Sequence, residues 1–339
     1  MAYRWLIASL AALVAVLFCA SLLIGPAAIG LGDSILALLG LGEGLNQGLG
    51  GSAEARVLVM QEIRLPRAIL GLTIGASLGL SGAALQGYLR NPLAEPGLIG
   101  VSASAALGAV LAIYTGLSAA FPLALPLSAL GAAVIAVLLL LVLAGRGADT
   151  LTLILAGVAL SALAGALTSL ALNLSPNPFA ALEIVFWLLG ALTDRSMLHV
   201  WLAVPFMLVG WLLLAGLGRG LDALALGEEA AASLGIRLDW LRLAVVLGTA
   251  ASVGAATAVA GAIGFVGLVV PHLLRPLVGG RPSRLLLASA LGGAAMLLAA
   301  DIAVRLVTPG QELKLGVLTA LVGAPFFLWL ILSRRRDLT

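Results

Sequence analysis

Long apolar runs separated by short charged turns form the dominant pattern along this chain. The run 68–89 contains 22 uncharged residues and is bounded by Arg67 and Arg90. As a helix it would extend about 33 Å, which is enough to cross the hydrocarbon core of a bilayer. The two arginines therefore mark opposite membrane surfaces, and the apolar run after the turn 91–96 predicts a helix that returns.

The remaining runs predict about ten transmembrane helices, which makes the chain an all-α polytopic membrane protein. Pro122 and Pro126 divide the uncharged stretch 96–145 into two spans, and the glycine-rich segment 33–63 is expected to be an external loop. The segment 183–192 is too short to cross and predicts a half-helix or interfacial helix on the outer side. The other predicted crossings are 5–32, 151–173, 196–217, 243–274, 285–304 and 315–333.

The stretch 243–274 leaves two interpretations open. It holds 32 uncharged residues, among them several glycines. Two short spans joined tightly near 258–261 would bring the total to ten, whereas one long tilted helix would not. The topology of the last part of the chain depends on this choice.

Composition and charge support a membrane protein with both termini in the cytoplasm. Of the 339 residues, 62% are hydrophobic and 10% are charged, compared with about 25% charged in soluble proteins. Twelve of the 18 Lys and Arg residues fall on the predicted inner side and six on the outer side. This excess follows the positive-inside rule. The net charge of +3 gives no indication of nucleic-acid binding.

The residue inventory excludes several kinds of site. Cys19 is the single cysteine, and His199 and His272 are the two histidines, so a cysteine-rich metal site is excluded and little remains for zinc or haem. No Gly-Lys-Ser or Gly-Lys-Thr occurs, so the chain lacks a phosphate-binding loop. We therefore expect no enzyme activity and no cofactor in this chain, with any ATP and Mg bound by a partner.

The glycines and the turn around the run 68–89 carry further predictions. Gly71, Gly75 and Gly79 recur every four residues, which predicts a helix face that another backbone approaches closely. Asn91 and Leu93 lie in a turn stiffened by two prolines. A stiff loop that carries one apolar side chain is suited to closing a pathway by excluding water, although a simple ordered loop is an equal alternative.

The charged stretch 222–237 predicts a short helix in a cytoplasmic loop. Glu228 and Glu229 follow Gly227 and favour the positive end of a helix dipole. Small alanines come next, and Gly235 is suited to end the helix. Such a small-faced helix fits a groove on another protein, although composition alone would also suit a plain surface helix.

Several of these segments resemble one family. The run Arg-Leu-Pro-Arg at 64–67, Ser-Gly-Ala with Gln86 after it, and Arg-Asn-Pro-Leu-Ala at 90–94 are similar to the most characteristic segment of FecCD-type permeases. These are permease subunits of binding-protein-dependent ABC importers for iron-siderophore, haem and cobalamin. The glycine-rich run that ends in Pro-His at 271–272 and the closing motif 312–325 also resemble that family. Lys314 is a departure, because a proline is usual there.

The resemblance implies a type II ABC importer permease architecture, with one transmembrane domain over 1–339 and a coupling-helix loop at 219–239. It also implies roles for individual residues. Coupling to the ATPase would use Gly227, Glu228, Glu229, Ala230, Ala231 and Gly235. Docking of the binding protein would use Arg64, Arg67 and Arg305, for which lipid anchoring is the alternative. The cytoplasmic gate would use Asn91 and Leu93, together with a second turn at 146–150.

The resemblance further implies the partners and the location. We expect two cytoplasmic ABC ATPase subunits, a periplasmic or surface-anchored substrate-binding protein, and a second permease that is an identical copy or a paralogue. The location would be the cytoplasmic membrane of a bacterium or archaeon. The cargo stays open among siderophore, haem and cobalamin.

Two other functions fit parts of the pattern. An ion-coupled secondary transporter would also have about ten spans, but it usually carries charged residues near mid-membrane, where these spans are almost free of charge. A rhomboid-like intramembrane serine protease would use the Gly-Leu-Ser-Gly at 79–82 with His272 as the base. That four-residue pattern is expected by chance in a glycine-rich membrane chain.

Overall fold

The computed structural model describes residues 3–25, 27, 29–41, 52–121, 123–145, 150–175, 177–307 and 313–336. Its regular structure over these residues is helical throughout. The helices are α1 (Tyr3–Leu23), α2 (Leu31–Leu38), α3 (Ala53–Leu58), α4 (Leu65–Tyr88), α5 (Val101–Tyr114), α6 (Leu117–Ala120), α7 (Ala124–Ala144), α8 (Thr150–Asn173), α9 (Pro178–Leu188), α10 (Met197–Ala215), α11 (Gly218–Leu224), α12 (Glu228–Ser233), α13 (Leu238–Ala260), α14 (Val266–Leu274), α15 (Pro282–Val307) and α16 (Leu315–Arg336).

The helices suited to span a bilayer agree with the predicted fold class. Within the described ranges, seven stretches are long and apolar enough to cross a membrane: α1, the continuous helix Ala53–Tyr88, α7, α8, α10, α13 and α15. Three shorter apolar helices lie at Val101–Tyr114, Pro178–Leu188 and Leu315–Leu330. The all-helical membrane fold is therefore confirmed, whereas the number of crossings and the side of each terminus stay predictions.

Two helices form the centre of the molecule. Almost every residue of α4 is buried, and most of α13 is buried as well. Helices α1, α7, α8 and α10 surround them and expose large apolar side chains such as Val16, Val142 and Leu212. In a membrane protein this arrangement is expected, because lipid tails solvate the outer helices.

The glycine stripe of α4 lies against two other backbones, as the sequence predicted. A methyl group at Gly75 or Gly79 would overlap the carbonyl oxygens of Gly293 and Ser289 on α15. A methyl group at Gly82 would overlap the carbonyl oxygen of Gly267 on α14. Small residues thus allow α4 and α15 to pack closely along their length.

The stretch 243–274 is broken after Ala260, which excludes the single long helix, whereas a crossing by each of the two pieces stays a prediction. Helix α13 ends at Gly261, where φ is +73°, and α14 begins after Phe265, where φ is +68°. A left-handed conformation is rare for a residue with a side chain. The positive φ of Phe265 therefore indicates that the chain is interrupted at a defined position before α14. The short α14 then starts inside the helix bundle, where Gly267 lies against α4.

The expectation of an external loop over 33–63 is wrong for most of its described residues. Helix α2 includes Asp33, and a continuous helix begins at Ala53, runs through a π-helical turn at Val59–Arg64 and joins α4. The Ser52 hydroxyl caps this helix by accepting a hydrogen bond from the Ala55 N–H. Arg56 then bonds Asp33 at 2.6 Å, so the charges that suggested a solvated loop hold two helices together.

Candidate functional site

The arginine predicted to open the docking motif is enclosed by the end of α1. The Arg64 side chain is almost fully buried, and its Nη1 donates to the carbonyls of Leu22 at 2.9 Å and Leu23 at 3.0 Å. Its Nη2 donates to the carbonyl of Ala27. These three carbonyls lie at or after the end of α1, where the last carbonyls of a helix have no partner within the helix. Arg64 therefore fastens α1 to the start of α4.

The other two candidate docking arginines share one carboxylate. Arg67 Nη2 lies 2.8 Å from Asp301 Oδ1, and Arg305 Nη2 lies 2.8 Å from Asp301 Oδ2. Arg305 lies one turn after Asp301 on α15, whereas Arg67 reaches the same carboxylate from α4. Arg305 also donates to the Ser21 carbonyl at 2.9 Å and to the Ile24 carbonyl at 2.6 Å.

The three candidate docking arginines thus lie near one end of α4, α15 and α1. The Arg67 side chain is the most accessible of the three at 15% exposure, and the Arg305 side chain is 7% exposed. The cluster carries three cations and one anion among the named residues. It can present positive charge to an acidic partner at this surface.

The candidate coupling residues form one short helix, as predicted. Helix α12 begins at Glu228, directly after Gly227 with φ of +113°, and the chain turns at Gly235 with φ of +80°. Both carboxylates, those of Glu228 and Glu229, are exposed in its first turn. Ala231 is fully buried and fixes the helix against the protein.

Exposed apolar side chains flank α12. Leu226 is 73% exposed and Leu234 is 64% exposed, although the neighbouring α11 buries Leu224. Asp222 of α11 accepts hydrogen bonds from the backbone N–H of Ser283 at 2.8 Å and from its hydroxyl at 2.6 Å. The loop is therefore firmly attached to α15, and it offers a mixed acidic and apolar surface to another molecule.

The candidate gate turn has a defined shape. The side-chain oxygen of Asn91 accepts a hydrogen bond from the Leu93 N–H at 2.9 Å, which closes a local turn. Arg90 before it has φ of +49°. Asn91 is exposed and Leu93 is partly buried. The second candidate gate turn at 146–150 lies outside the described residues except for Thr150.

Two side chains for which the sequence analysis predicted no role hold this turn in place. The buried Gln86 side chain donates to the carbonyls of Ala94 and Leu268, each at 3.3 Å. The Glu95 carboxylate accepts a hydrogen bond from the Phe265 N–H at 2.9 Å. A lone glutamine in an apolar span is a signal that could have identified Gln86. Glu95 and Phe265 are 170 positions apart in the chain, and no pattern in the sequence indicates that they are in contact.

The gate turn and the coupling helix also touch each other. Arg90 Nη2 lies 3.3 Å from the Glu228 carboxylate, and both side chains are about half exposed. The gate and coupling candidates therefore lie at the same end of α4. The arginine cluster lies at the opposite end of this 24-residue helix, about 36 Å away by helical rise.

An uncharged cavity of about 490 Å³ lies beside the break between α13 and α14. It is lined by residues at the end of α9, by Ala262 and by the first half of α16, including Gly316 and Ala320.

Lys314, just before α16, lies over the ring of Phe186 at 5.5 Å. The remaining candidate residues have structural contacts: the buried Ser81 hydroxyl lies 3.0 Å from that of Ser252, and the His272 ring packs against Phe326.

The chain is similar to known proteins over most of its length. It matches the FecCD transport family over residues 13–333. The vitamin B12 import system permease protein BtuC of Salmonella paratyphi A is 42% identical over 287 residues, which cover 84% of this chain and 86% of that protein. The protein of the same name from Salmonella typhimurium has the same identity and coverage.

Solved structures share the fold. The structure of an inward-facing metal-chelate type ABC transporter has a TM-score of 0.84 and 32% identity, and the match covers 97% of this chain and 99% of the other. PsaBC from Streptococcus pneumoniae, solved in complex with a Fab, has a TM-score of 0.51 and 16% identity. That match covers 78% of this chain and 88% of the other, and it shows similarity of fold alone.

Proposed function

Because this chain belongs to the FecCD transport family, we propose that it carries a corrinoid across the cytoplasmic membrane. It is the membrane-spanning permease subunit of an ABC importer. The proposal of a corrinoid is supported by the 42% identity to vitamin B12 import permeases over 287 residues. Iron-siderophore and haem are cargoes of the family as a whole.

The uncharged cavity beside the helix break is consistent with a bulky organic cargo. The described residues that line it, among them Leu188, Val317 and Pro325, carry no charge. Such a wall offers no charged group to retain the cargo, so the cargo can leave as readily as it enters. The binding protein that delivers the cargo would then supply most of the specificity for that cargo.

The proposed complex contains four kinds of component. Two ATPase subunits bind ATP and Mg in the cytoplasm, and this chain supplies no nucleotide site. A second permease, either an identical copy or a paralogue, forms the pathway together with this chain. A substrate-binding protein delivers the cargo from outside, and the bilayer surrounds the permeases.

Helix α12 is the proposed contact with the ATPase, and its exposed surface is the observation that carries this assignment. Glu228 and Glu229 are exposed in its first turn, and Leu226 and Leu234 expose more than half of their surfaces on either side. Apolar side chains in a loop outside the bilayer are expected to be covered by a partner. Gly227, Ala230, Ala231 and Gly235 allow the helix to be short and narrow enough to enter a groove.

The binding protein would dock on the arginine cluster at the other end of the molecule. Arg67 is the most accessible of the three arginines, and Asp301 holds it in place beside Arg305. Acidic side chains on the binding protein would compete with Asp301 for these guanidinium groups. Arg64 would then act mainly by holding the end of α1 under the docking surface.

ATP-driven movement would connect these two ends. Closure of the ATPase subunits around ATP would displace α12, and this displacement would change the turn that carries Asn91 and Leu93. The cargo would pass while this turn is open towards the cytoplasm. Hydrolysis of ATP would return the subunits to their starting positions.

Co-purification of the ATPase with this chain tests the proposal. The permease is purified in nanodiscs with candidate ATPase subunits, as wild type and as Glu229→Arg. We expect the wild type to retain the ATPase and the charge reversal to lose it. A wild type that retains no ATPase would contradict the assignment of α12.

Uptake into vesicles tests the cargo. The complete complex is reconstituted with its binding protein, and ATP-dependent uptake of labelled cobalamin, haem and a ferric siderophore is measured in parallel. We expect cobalamin to accumulate and the other two to stay outside. Accumulation of haem or siderophore alone would contradict a corrinoid cargo while leaving the importer assignment intact.

A further inference from the structure

The turn 91–96 is attached to the short helix α14 by more contacts than a surface turn needs. The Glu95 carboxylate accepts the N–H of Phe265, the residue directly before α14. The ring of Pro96 lies directly against Gly267, where a side-chain carbon would come within 2.7 Å of it. The turn therefore packs on the first turn of α14, inside the helix bundle.

Glu95 meets α14 at a favourable position. The N-terminus of a helix carries partial positive charge and unpaired N–H groups, and a carboxylate there is stabilising. Phe265 is held with φ of +68°, which costs free energy for a residue with a side chain. The hydrogen bond from its N–H to Glu95 offsets part of that cost.

Gln86, near the end of α4, makes a second connection between the turn and α14 and ties both to α4. One amide group donates both to the Ala94 carbonyl in the turn and to the Leu268 carbonyl in α14. Its oxygen accepts a hydrogen bond from Arg275, directly after α14, at 2.8 Å. The turn is therefore joined to both ends of α14.

The turn also reaches the coupling helix. Arg90, the residue before the turn, pairs with Glu228 at the start of α12 at 3.3 Å. Through this ion pair, α12 contacts the segment that leads into the turn. A displacement of α12 would therefore act on the turn directly.

We propose that the turn 91–96 and helix α14 move as one body, joined by the positioning residue Glu95, and that the ion pair between Arg90 and Glu228 transmits the movement of α12 to this body. The gate then opens only when this body shifts. This inference rests on the proposed coupling and gate roles.

Removal of the Glu95 carboxylate tests the positioning role. ATP hydrolysis and cobalamin uptake are measured in the same vesicles for wild type, Glu95→Ala and Glu95→Gln. In Glu95→Ala we expect hydrolysis to continue while uptake falls about tenfold, since a hydrogen bond to a charged group contributes free energy of that order. Glu95→Gln keeps an oxygen that can accept from the Phe265 N–H, so most of the uptake should return.

Controls separate this effect from a general loss of an acid. Glu54→Ala removes an exposed carboxylate from α3 and should leave both rates unchanged. Arg90→Glu should raise the ATP consumed per cargo molecule, whereas Arg90→Lys keeps the positive charge and should not. Arg4→Glu reverses an exposed arginine on α1 and serves as the control for Arg90.

Hydrogen exchange provides a second measurement that does not depend on the cargo. In wild type, addition of an ATP analogue to the complex should change amide exchange in 91–96 and in 262–274 together. In Glu95→Ala the two segments should respond separately.

Three results would overturn the proposal. They are normal uptake in Glu95→Ala, an equal loss of uptake and hydrolysis that Glu95→Gln does not restore, or separate responses of the two segments in wild type. A wild type that binds no ATPase would instead contradict the proposed function, so the two failures can be told apart.

Discussion

Arg67 and Asp301 are 234 positions apart in the chain, and their side chains form an ion pair at 2.8 Å across the contact between α4 and α15. Asp301 is almost fully buried and is shared with Arg305. One carboxylate thus pairs with two guanidinium groups at the end of the molecule where the binding protein is proposed to dock. This arrangement leads to the first two predictions.

Asp301→Ala should destabilise the permease strongly. It would leave two guanidinium groups without their anion in a buried site, and removal of one member of a buried pair costs about 3–5 kcal/mol. Thermal unfolding in detergent measures the effect. Asp239→Ala breaks an ion pair whose acid is 82% exposed and should leave the Tm almost unchanged. Equal Tm values for the two variants would contradict the structural role of Asp301.

Arg67→Ala should weaken docking of the binding protein more than it weakens the fold. Asp301 keeps Arg305 as a partner, so the buried acid stays paired. We expect the Kd for the binding protein to rise about tenfold, and the affinity of the wild type to fall with salt. Arg219→Ala on α11 is the control and should bind normally. If Arg67→Ala binds the binding protein with unchanged affinity, the docking role of Arg67 is contradicted and its role is structural only.

Gly79→Ala should disrupt the packing of α4 on α15. The added methyl group would overlap the carbonyl oxygen of Ser289, so the two helices would have to separate. We expect a lower Tm and a lower yield of folded protein. Gly165→Ala on α8 meets no atom within 4 Å and is a matched control. It should be neutral or stabilising by about 0.5–1 kcal/mol.

Leu234→Ala should reduce binding of the ATPase without affecting the stability of the permease. The side chain is 64% exposed at the end of α12, so its removal leaves no cavity in the fold. Leu224→Ala provides the opposite case, because Leu224 is 2% exposed and its loss should cost about 2–5 kcal/mol of stability. Binding assays and thermal unfolding on both variants separate the two effects. Normal ATPase binding by Leu234→Ala would contradict the proposed contact.

The sequence predicted the elements whose signals are local. The boundaries of α12 follow from glycines that favour positive φ, α4 follows from an uninterrupted apolar run, and α15 follows from an apolar run that contains one charged residue, Asp301. The segment 33–63 was misjudged because Glu54, Arg56 and Glu62 gave it the charge of an exposed loop. In the structure Arg56 is buried and paired with Asp33, which the charge count could not reveal.

The candidate site was only partly predictable for a related reason. Motifs identified Asn91, Glu229 and Arg67 individually, but they carried no information on which residues meet. Gln86 joins the gate turn to α14, and Glu95 pairs with Phe265, 170 positions away. Those contacts depend on the path of the chain after Gly261. The sequence indicated a possible join near 258–261, but not which residues the chain meets beyond it.

The attachment of α1 has a consequence for synthesis of the chain. Arg305 donates to the Ser21 carbonyl across 284 positions, and α1 packs along α15. At translation rates of about 5–20 residues per second, the N-terminal helix waits roughly 15–60 s in the bilayer before this partner emerges from the ribosome. During that interval its polar carbonyl end has no arginine from α15 to bind. The order of membrane insertion therefore leaves the contact between α1 and α15 to form among the last.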